Sequence, residues 1–188
     1  ADGNGKKLVI VESPAKARTL ASILGRDYVV KASVGHVRDL PKSELGVDVE
    51  KGFLPRYIVP REKRRVVQEL QEAARRAVTV YLATDPDREG EAIAWHLSEV
   101  AGLSNGSAPR RVVFHEITEE AVLGAFRHPR PLDMNLVQAQ QAFTLNNNGT
   151  FAPNQPAQQQ VRAGAANVNY NNAAAEQQWE KLQQAQEV

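Results

Sequence analysis

The sequence predicts an α/β fold, a four-stranded parallel sheet with helices on both faces, and three observations support that prediction. Apolar runs and amphipathic stretches alternate in the order β-α-β-loop-α-β-α-β-α, the order in which helical crossovers return parallel strands to one sheet. The apolar runs are short and rich in Val, Ile and Leu, as buried strands are. Several of the stretches between them open on capping residues and close at Gly or Pro, as helices do.

Lys7-Leu8-Val9-Ile10-Val11 reads as the first buried strand. Ser13 then supplies an N-cap, Pro14 fits the first helical position, and Leu20, Ile23 and Leu24 recur at helical spacing until Gly25. Glu12 and Lys16 are left at the carboxyl end of the strand, the edge where open parallel sheets bind ligands. Tyr28 to Ser33 reads as the second strand, followed by Val34-Gly35-His36-Val37-Arg38-Asp39-Leu40-Pro41. Gly35 permits close backbone approach. His36 and Arg38 suit an anionic backbone, although a histidine taken by itself is more often a capping or packing residue. Lys42 to Pro60, punctuated by Gly46, Gly52, Pro55 and Pro60, reads as a long surface loop with one extended segment at Tyr57-Ile58-Val59.

Arg61 to Ala77 has the pattern of an amphipathic helix, with Val66, Val67, Leu70 and Ala74 on one side. Its other side bears Arg61, Lys63, Arg64, Arg65, Arg75 and Arg76, the usual look of a solvated helix face. Val78 to Ala83 reads as the third strand. The helix after it starts near Arg88, carries Ile93, Ala94, Leu97 and Val100 at core spacing, and ends at Gly102. Trp95 and His96 flank that stripe and read as packing or surface residues. Ser104 to Pro109 is a loop and Arg110 to Phe114 the fourth strand. Thr118 caps a helix with apolar Val122, Leu123 and Phe126 that runs until Pro129 and Pro131, and Asp133 caps a last segment, Met134 to Ala142.

Between the third strand and its helix stands Asp85-Pro86-Asp87-Arg88-Glu89, three carboxylates at alternate positions. If the strand continues extended, alternate side chains point the same way and Asp85 and Asp87 project together. Carboxylates held that close repel unless a cation sits between them. Hard oxygen ligands of this kind suit Mg²⁺, which binds through one or two carboxylates, waters and a substrate phosphate. Taken alone, the turn is better explained as an acidic first helical turn favoured by the helix dipole. A parallel sheet that brings Glu12 to the same edge changes that balance in favour of a Mg²⁺ site.

The 188 residues suffice for one ordinary domain with an appendage. The net charge of +1 gives no global signal for nucleic acid, so any such binding must come from local patches. The absence of cysteine excludes disulfides and thiolate metal sites and fits a reducing compartment. No apolar run approaches the roughly 20 residues that span a bilayer, and the polar start Ala1-Asp2-Gly3-Asn4-Gly5 does not read as a signal peptide. The expectation is a soluble, cytoplasmic protein with no membrane partner.

Several of these segments, in order and spacing, resemble the amino-terminal TOPRIM domain of bacterial type IA DNA topoisomerase I. They are Leu8 to Ala17, Ser33 to Pro41, Tyr81 to His96, Phe114-His115-Glu116-Ile117-Thr118 and Val137 to Ala142. The likeness runs from about Lys6 to Ala142. It implies a Rossmann-like TOPRIM fold and Mg²⁺-dependent cleavage and rejoining of one DNA strand through a tyrosyl 5′-phosphate, relaxing negative supercoils. It further implies that Asp85, Asp87 and Glu89, with Glu12, hold Mg²⁺. Glu12 would assist proton transfer to the leaving 3′-oxygen, and Lys16 would stabilise charge on the scissile phosphate. His36, Arg38, Lys16 and Arg88 would contact DNA, Arg88 also counting among the catalytic groups. The implied partners are the single-stranded segment of supercoiled DNA and the remaining topoisomerase domains, and the implied location is the nucleoid in the cytoplasm.

The chain departs from that family in two ways. No Arg-Thr-Asp motif surrounds any tyrosine, so none of Tyr28, Tyr57, Tyr81 and Tyr170 inherits the nucleophile's role. After Ala142 the expected paired arginines give way to Phe143-Thr144-Leu145-Asn146-Asn147-Asn148-Gly149 and a tail rich in Asn, Gln and Ala. The domain reading is therefore a flexible start at residues 1–5, a TOPRIM domain at 6–142 and an unassigned tail at 143–188 with a helix at 173–187. A fragment of this kind is expected to be inactive alone. Two rival readings are a non-catalytic binding module on the same scaffold and a Mg²⁺-dependent nuclease or primase-type TOPRIM enzyme. The second is disfavoured because the likeness extends beyond the acidic signature.

Overall fold

A computed structural model of the chain describes residues 5–42, 46–48, 54–103 and 109–147. The tail beyond residue 147, with Tyr170 and the helix expected at 173–187, lies outside the described residues, as do residues 1–4. The chain divides into two compact units, Ala1–Asp39 with Tyr57–Gln140 and Leu40–Arg56 with Gln141–Val188.

The first unit is built on a four-stranded parallel sheet of β1 (Lys7–Val11), β2 (Tyr28–Ala32), β5 (Thr79–Leu82) and β6 (Arg110–Arg111), in the order β2-β1-β5-β6. β1 pairs with β2 from Lys7 opposite Tyr28, and with β5 from Lys7 opposite Thr79. β6 joins the far side of β5, with Tyr81 opposite Arg110. The helices of this unit are α1 (Pro14–Leu24), α2 (Arg64–Arg76), α3 (Arg88–Val100), α4 (Glu119–Arg127) and the start of α5 (Met134–Asn147).

Strand alternation sorts the core into two layers. Leu8 and Ile10 of β1 and Val80 and Leu82 of β5 face Val67 and Leu70 of α2 and Ile93, Ala94 and Leu97 of α3. Val9, Val11 and Tyr81, one position out of step, face Leu20 and Leu24 of α1 and Val122 and Phe126 of α4. The expected coverage of both sheet faces is therefore found.

Local chemistry sets the helix ends. Ser13 Oγ accepts from the Lys16 N–H at 3.2 Å to start α1, and Gly25, at φ 76°, ends it. Asp87 Oδ1 accepts from the Gly90 N–H at 2.6 Å to start α3. Thr118 Oγ1 accepts from the Ala121 N–H at 3.3 Å to start α4.

Several boundaries differ from expectation. The third sheet strand is Thr79–Leu82, and Val78 before it is 56% exposed. The fourth is only Arg110–Arg111, although the Val112 N–H still donates to Leu82 O at 2.9 Å. The helix expected from Arg61 opens as one 3-10 turn, Arg61–Lys63, behind Pro60. α5 continues to Asn147 because no Gly or Pro interrupts the chain after Pro131 until Gly149. In the second unit, β3 (Val47–Asp48) and β4 (Leu54–Pro55) form a small antiparallel pair inside the stretch expected to be a loop. The extended segment expected at Tyr57–Val59 is reduced to a bridge between Asp39 and Ile58, which exchange two N–H···O bonds of 2.9 Å.

At the end of β2 the chain turns sharply. The Ser33 N–H donates to Val11 O and the Gly35 N–H to Glu12 O, both at 2.8 Å, which ties this turn to the end of β1. Gly35 adopts φ 80°, and Val34 adopts φ 57°, a left-handed conformation that a β-branched residue rarely takes. Val34 is 53% exposed, so little packing repays the strain. Val34→Asn, whose short polar side chain tolerates this region, is expected to stabilise the protein by about 1 kcal/mol in urea unfolding. A parent-like or lower midpoint would contradict the strain.

Candidate functional site

The parallel pairing of β1 with β5 brings two distant turns to one edge. Lys16, in the first turn of α1, is only 7% exposed, and its ammonium lies 3.2 Å from Glu12 Oε1 and 3.0 Å from Asp85 Oδ1. The Phe114 ring lies beneath it, 5.0 Å from Nζ to centroid. A buried lysine is costly unless its charge is met by carboxylates and polarisable faces, and this one has both. Glu12 is 15% and Asp85 58% exposed at the side chain, so the pair opens to solvent on the Asp85 side.

The acidic turn that carries Asp85 is held by its backbone. The Gly90 backbone packs so close to Asp85 that a Cβ on Gly90 would lie 2.1 Å from Asp85 O, so only glycine fits there. Thr84 Oγ1, buried, donates to Gly90 O at 2.6 Å. Arg111, fully buried, donates from Nη1 to Leu82 O at 3.2 Å, Thr84 O at 2.9 Å and Val112 O at 2.8 Å, and from Nη2 to Asp85 O at 2.6 Å. Its Nε donates to Glu91 Oε2 at 2.9 Å. Glu91, 1% exposed at the side chain, also accepts from Arg130 Nη1 and Nη2 at 2.9 Å and from the Asp133 N–H at 2.7 Å. Burial alone would raise the Glu91 pKa, but the bonds from Arg130, Asp133 and Arg111 outweigh it and hold the group below the usual carboxylate range.

Neither Arg111 nor Glu91 stood out in the sequence. Arg111 lies within the expected fourth strand, and Glu91 just past the three carboxylates of the acidic turn. The available signal was that residue 111 falls inside a strand otherwise continuing as Val112-Val113, where a charge must find an internal partner.

The donors suit a hard cation, since Asp85, Asp87 and Glu89 are all exposed on one turn and Mg²⁺ needs only one or two carboxylates beside water and phosphate. Their arrangement differs from the expected cluster. Asp85 faces Lys16, Asp87 caps α3, and Glu89 Oε1 lies 3.2 Å from His36 Nε2. Among the described residues no three His, Cys, Asp or Glu side chains gather as a metal site. The reason is that strand geometry ends at Leu82, so alternation no longer governs positions 85–89, where capping and ion pairing do. Arg88, at the first position of α3, is exposed.

His36 is exposed beside Glu89, but Arg38, expected to contact DNA, is turned inward with a side chain only 16% exposed. Its guanidinium lies 4.6 Å from the Trp95 ring and 5.3 Å from the Tyr57 ring, and Nε donates to His96 Nδ1 at 2.9 Å. Nη2 is buried without a hydrogen-bond partner among the described residues. The stack ties the segment after β2 to the middle of α3, so Arg38 organises the edge rather than presenting charge on it. Trp95 and His96 are packing residues, as their flanking positions suggested. Of the tyrosines, Tyr28 and Tyr81 pack with Phe126 in the core and Tyr57 stacks on Trp95 and His96.

The Toprim domain family matches residues 7–117. Among solved structures, full-length topoisomerase I from Thermotoga maritima superposes with a TM-score of 0.68 at 46% sequence identity, over 74% of this chain and 24% of that one. The chain thus spans about a quarter of that structure's length.

Burial, reinforced by the charges of Arg38 and His36, lowers the His96 pKa from 6.5 to about 3, so the folded ring stays neutral and accepts from Arg38. Between those two values the unfolded chain binds a proton that the folded chain refuses. Stability should therefore fall on acidification through that window, by up to about 1.4 kcal/mol per pH unit from this group. His96→Gln is expected to flatten the decline between pH 7 and 5 in urea unfolding. An unchanged slope would mean that His96 protonates in the folded state.

Proposed function

The chain belongs to the Toprim domain family, and from that premise we propose that it is the metal- and phosphate-binding portion of a type IA DNA topoisomerase. The reaction is Mg²⁺-dependent cleavage and religation of one DNA strand, which relaxes negative supercoils. The observation that carries this reading is Lys16, buried at the sheet edge between Glu12 and Asp85 and next to an exposed acidic turn. A buried cation flanked by carboxylates is the kind of charged group from which a phosphoryl-transfer site is assembled.

In this reading the Lys16 ammonium stabilises charge developing on the scissile phosphate, a role its compact charge suits. Glu12, its ion-pair partner, assists proton transfer to the leaving 3′-oxygen. Exposed His36 and Arg88 contact the DNA backbone. Asp85 and Asp87, with Glu89 and Glu12 as further donors, would hold Mg²⁺, which when bound neutralises and positions the phosphodiester. The nucleophilic tyrosine and most of the DNA path belong to other domains of the longer enzyme. The match to 24% of the Thermotoga maritima structure supports that division.

Isothermal titration with Mg²⁺ tests the site. The parent chain is expected to bind, and Asp85→Asn/Asp87→Asn to lose at least tenfold in affinity with unchanged circular dichroism. Equal binding by the double variant would overturn the site assignment. The chain alone is expected to leave supercoiled plasmid unrelaxed with Mg²⁺ present, and relaxation would overturn the view that the nucleophile lies elsewhere.

A further inference from the structure

We propose that Arg111 is the positioning residue of the acidic turn: its guanidinium fixes the backbone of Leu82 to Asp85 and thereby aims the Asp85 carboxylate at Lys16 and at any bound cation. The part concerning the cation rests on the function proposed above. The part concerning Lys16 does not.

The geometry begins where β5 ends. The Ala83 N–H still donates to Ile10 O at 2.9 Å, but no ladder follows before α3 begins at Arg88, so the carbonyls of Thr84 and Asp85 need partners outside the sheet. Arg111 supplies them from one rigid planar group, which also donates to Leu82 O beside the Val112 N–H. Three carbonyl directions fixed by one plane fix the peptide orientations at 82, 84 and 85, and with them the direction of the Asp85 Cα–Cβ bond. The Asp85 side chain is itself 58% exposed and has little packing to hold it, so its pairing with Lys16 depends on that backbone.

Glu91 completes the device. It stands one helical turn beyond Asp87, the cap of α3, and meets Arg111 Nε, Arg130 and the Asp133 N–H. The start of α3 is thus locked to the same guanidinium that holds the end of β5. A buried ion pair is a weak source of net stability, because desolvating two charges offsets most of their attraction. Its place in this fold is better accounted for by what it orients. Lysine in its place would keep the charge for Glu91 but lose the planar fork that spans several carbonyls.

The test is Arg111→Lys in the full chain, read by two signals. The first needs no metal: the Lys16 Nζ and Asp85 carboxylate resonances in NMR, which report their ion pair. The second is Mn²⁺ affinity by isothermal titration. In the folded variant the ion-pair signature is expected to be lost and Mn²⁺ affinity to fall about tenfold. Val122→Ala, on the buried side of α4, is the control for stability loss alone. It is expected to lower the urea midpoint while leaving both signals at parent values. An intact Lys16–Asp85 signature in Arg111→Lys overturns the proposal whether or not metal binds. Failure of the parent to bind Mn²⁺ would instead count against the proposed function. Should Arg111→Lys not fold, Arg130→Met, at a partly exposed position, removes two of Glu91's bonds and loosens Arg111. It is expected to weaken the ion-pair signature measurably, and a parent-like signature overturns the proposal.

Discussion

The parallel pairing of β1 with β5 is the constraint on which the rest depends. It sets Ile10 opposite Leu82, so the strands end level and the chain beyond each one emerges at the same edge. Glu12 and Lys16 follow one strand and Asp85 the other. Residues far apart in sequence meet without any loop having to reach across the molecule. The two core layers exist to keep that pairing in place, since each strand contributes alternately to both.

The charge balance at the edge follows. Lys16 can be buried because Glu12, Asp85 and the Phe114 face surround it, with Asp85 meeting its charge from the solvent side. Around this centre the supporting groups are placed to hold backbone rather than to face solvent. Arg38 and Arg111 are both arginines drawn inward, one stacked on aromatic rings and the other hydrogen-bonded to carbonyls. In each case a delocalised, weakly hydrated cation does what a lysine could not.

The sequence made the layered α/β architecture legible because buried strands and capped helices leave local signatures, and Ser13, Asp133 and Thr118 cap where their positions suggest. It also made legible that Glu12, Lys16 and Asp85 share an edge, since parallel topology dictates it. Two things were not legible. The fan-out of Asp85, Asp87 and Glu89 to three different partners depends on where strand geometry stops, at Leu82, and apolar residues continue past that point through Ala83. The fate of each arginine depends on contacts distant in sequence. Arg38 meets His96 and Arg111 meets Glu91 only after folding, and no local periodicity distinguishes them from surface arginines.

The bridge between Asp39 and Ile58 has an architectural consequence. The stretch from Leu40 to Arg56 departs and returns through two residues already clamped by a pair of hydrogen bonds, and it falls in a separate compact unit. A segment anchored in that way can be exchanged for another of different length at small entropic cost, because its ends are already closed. The sheet registers, set by residues outside that stretch, do not depend on its length.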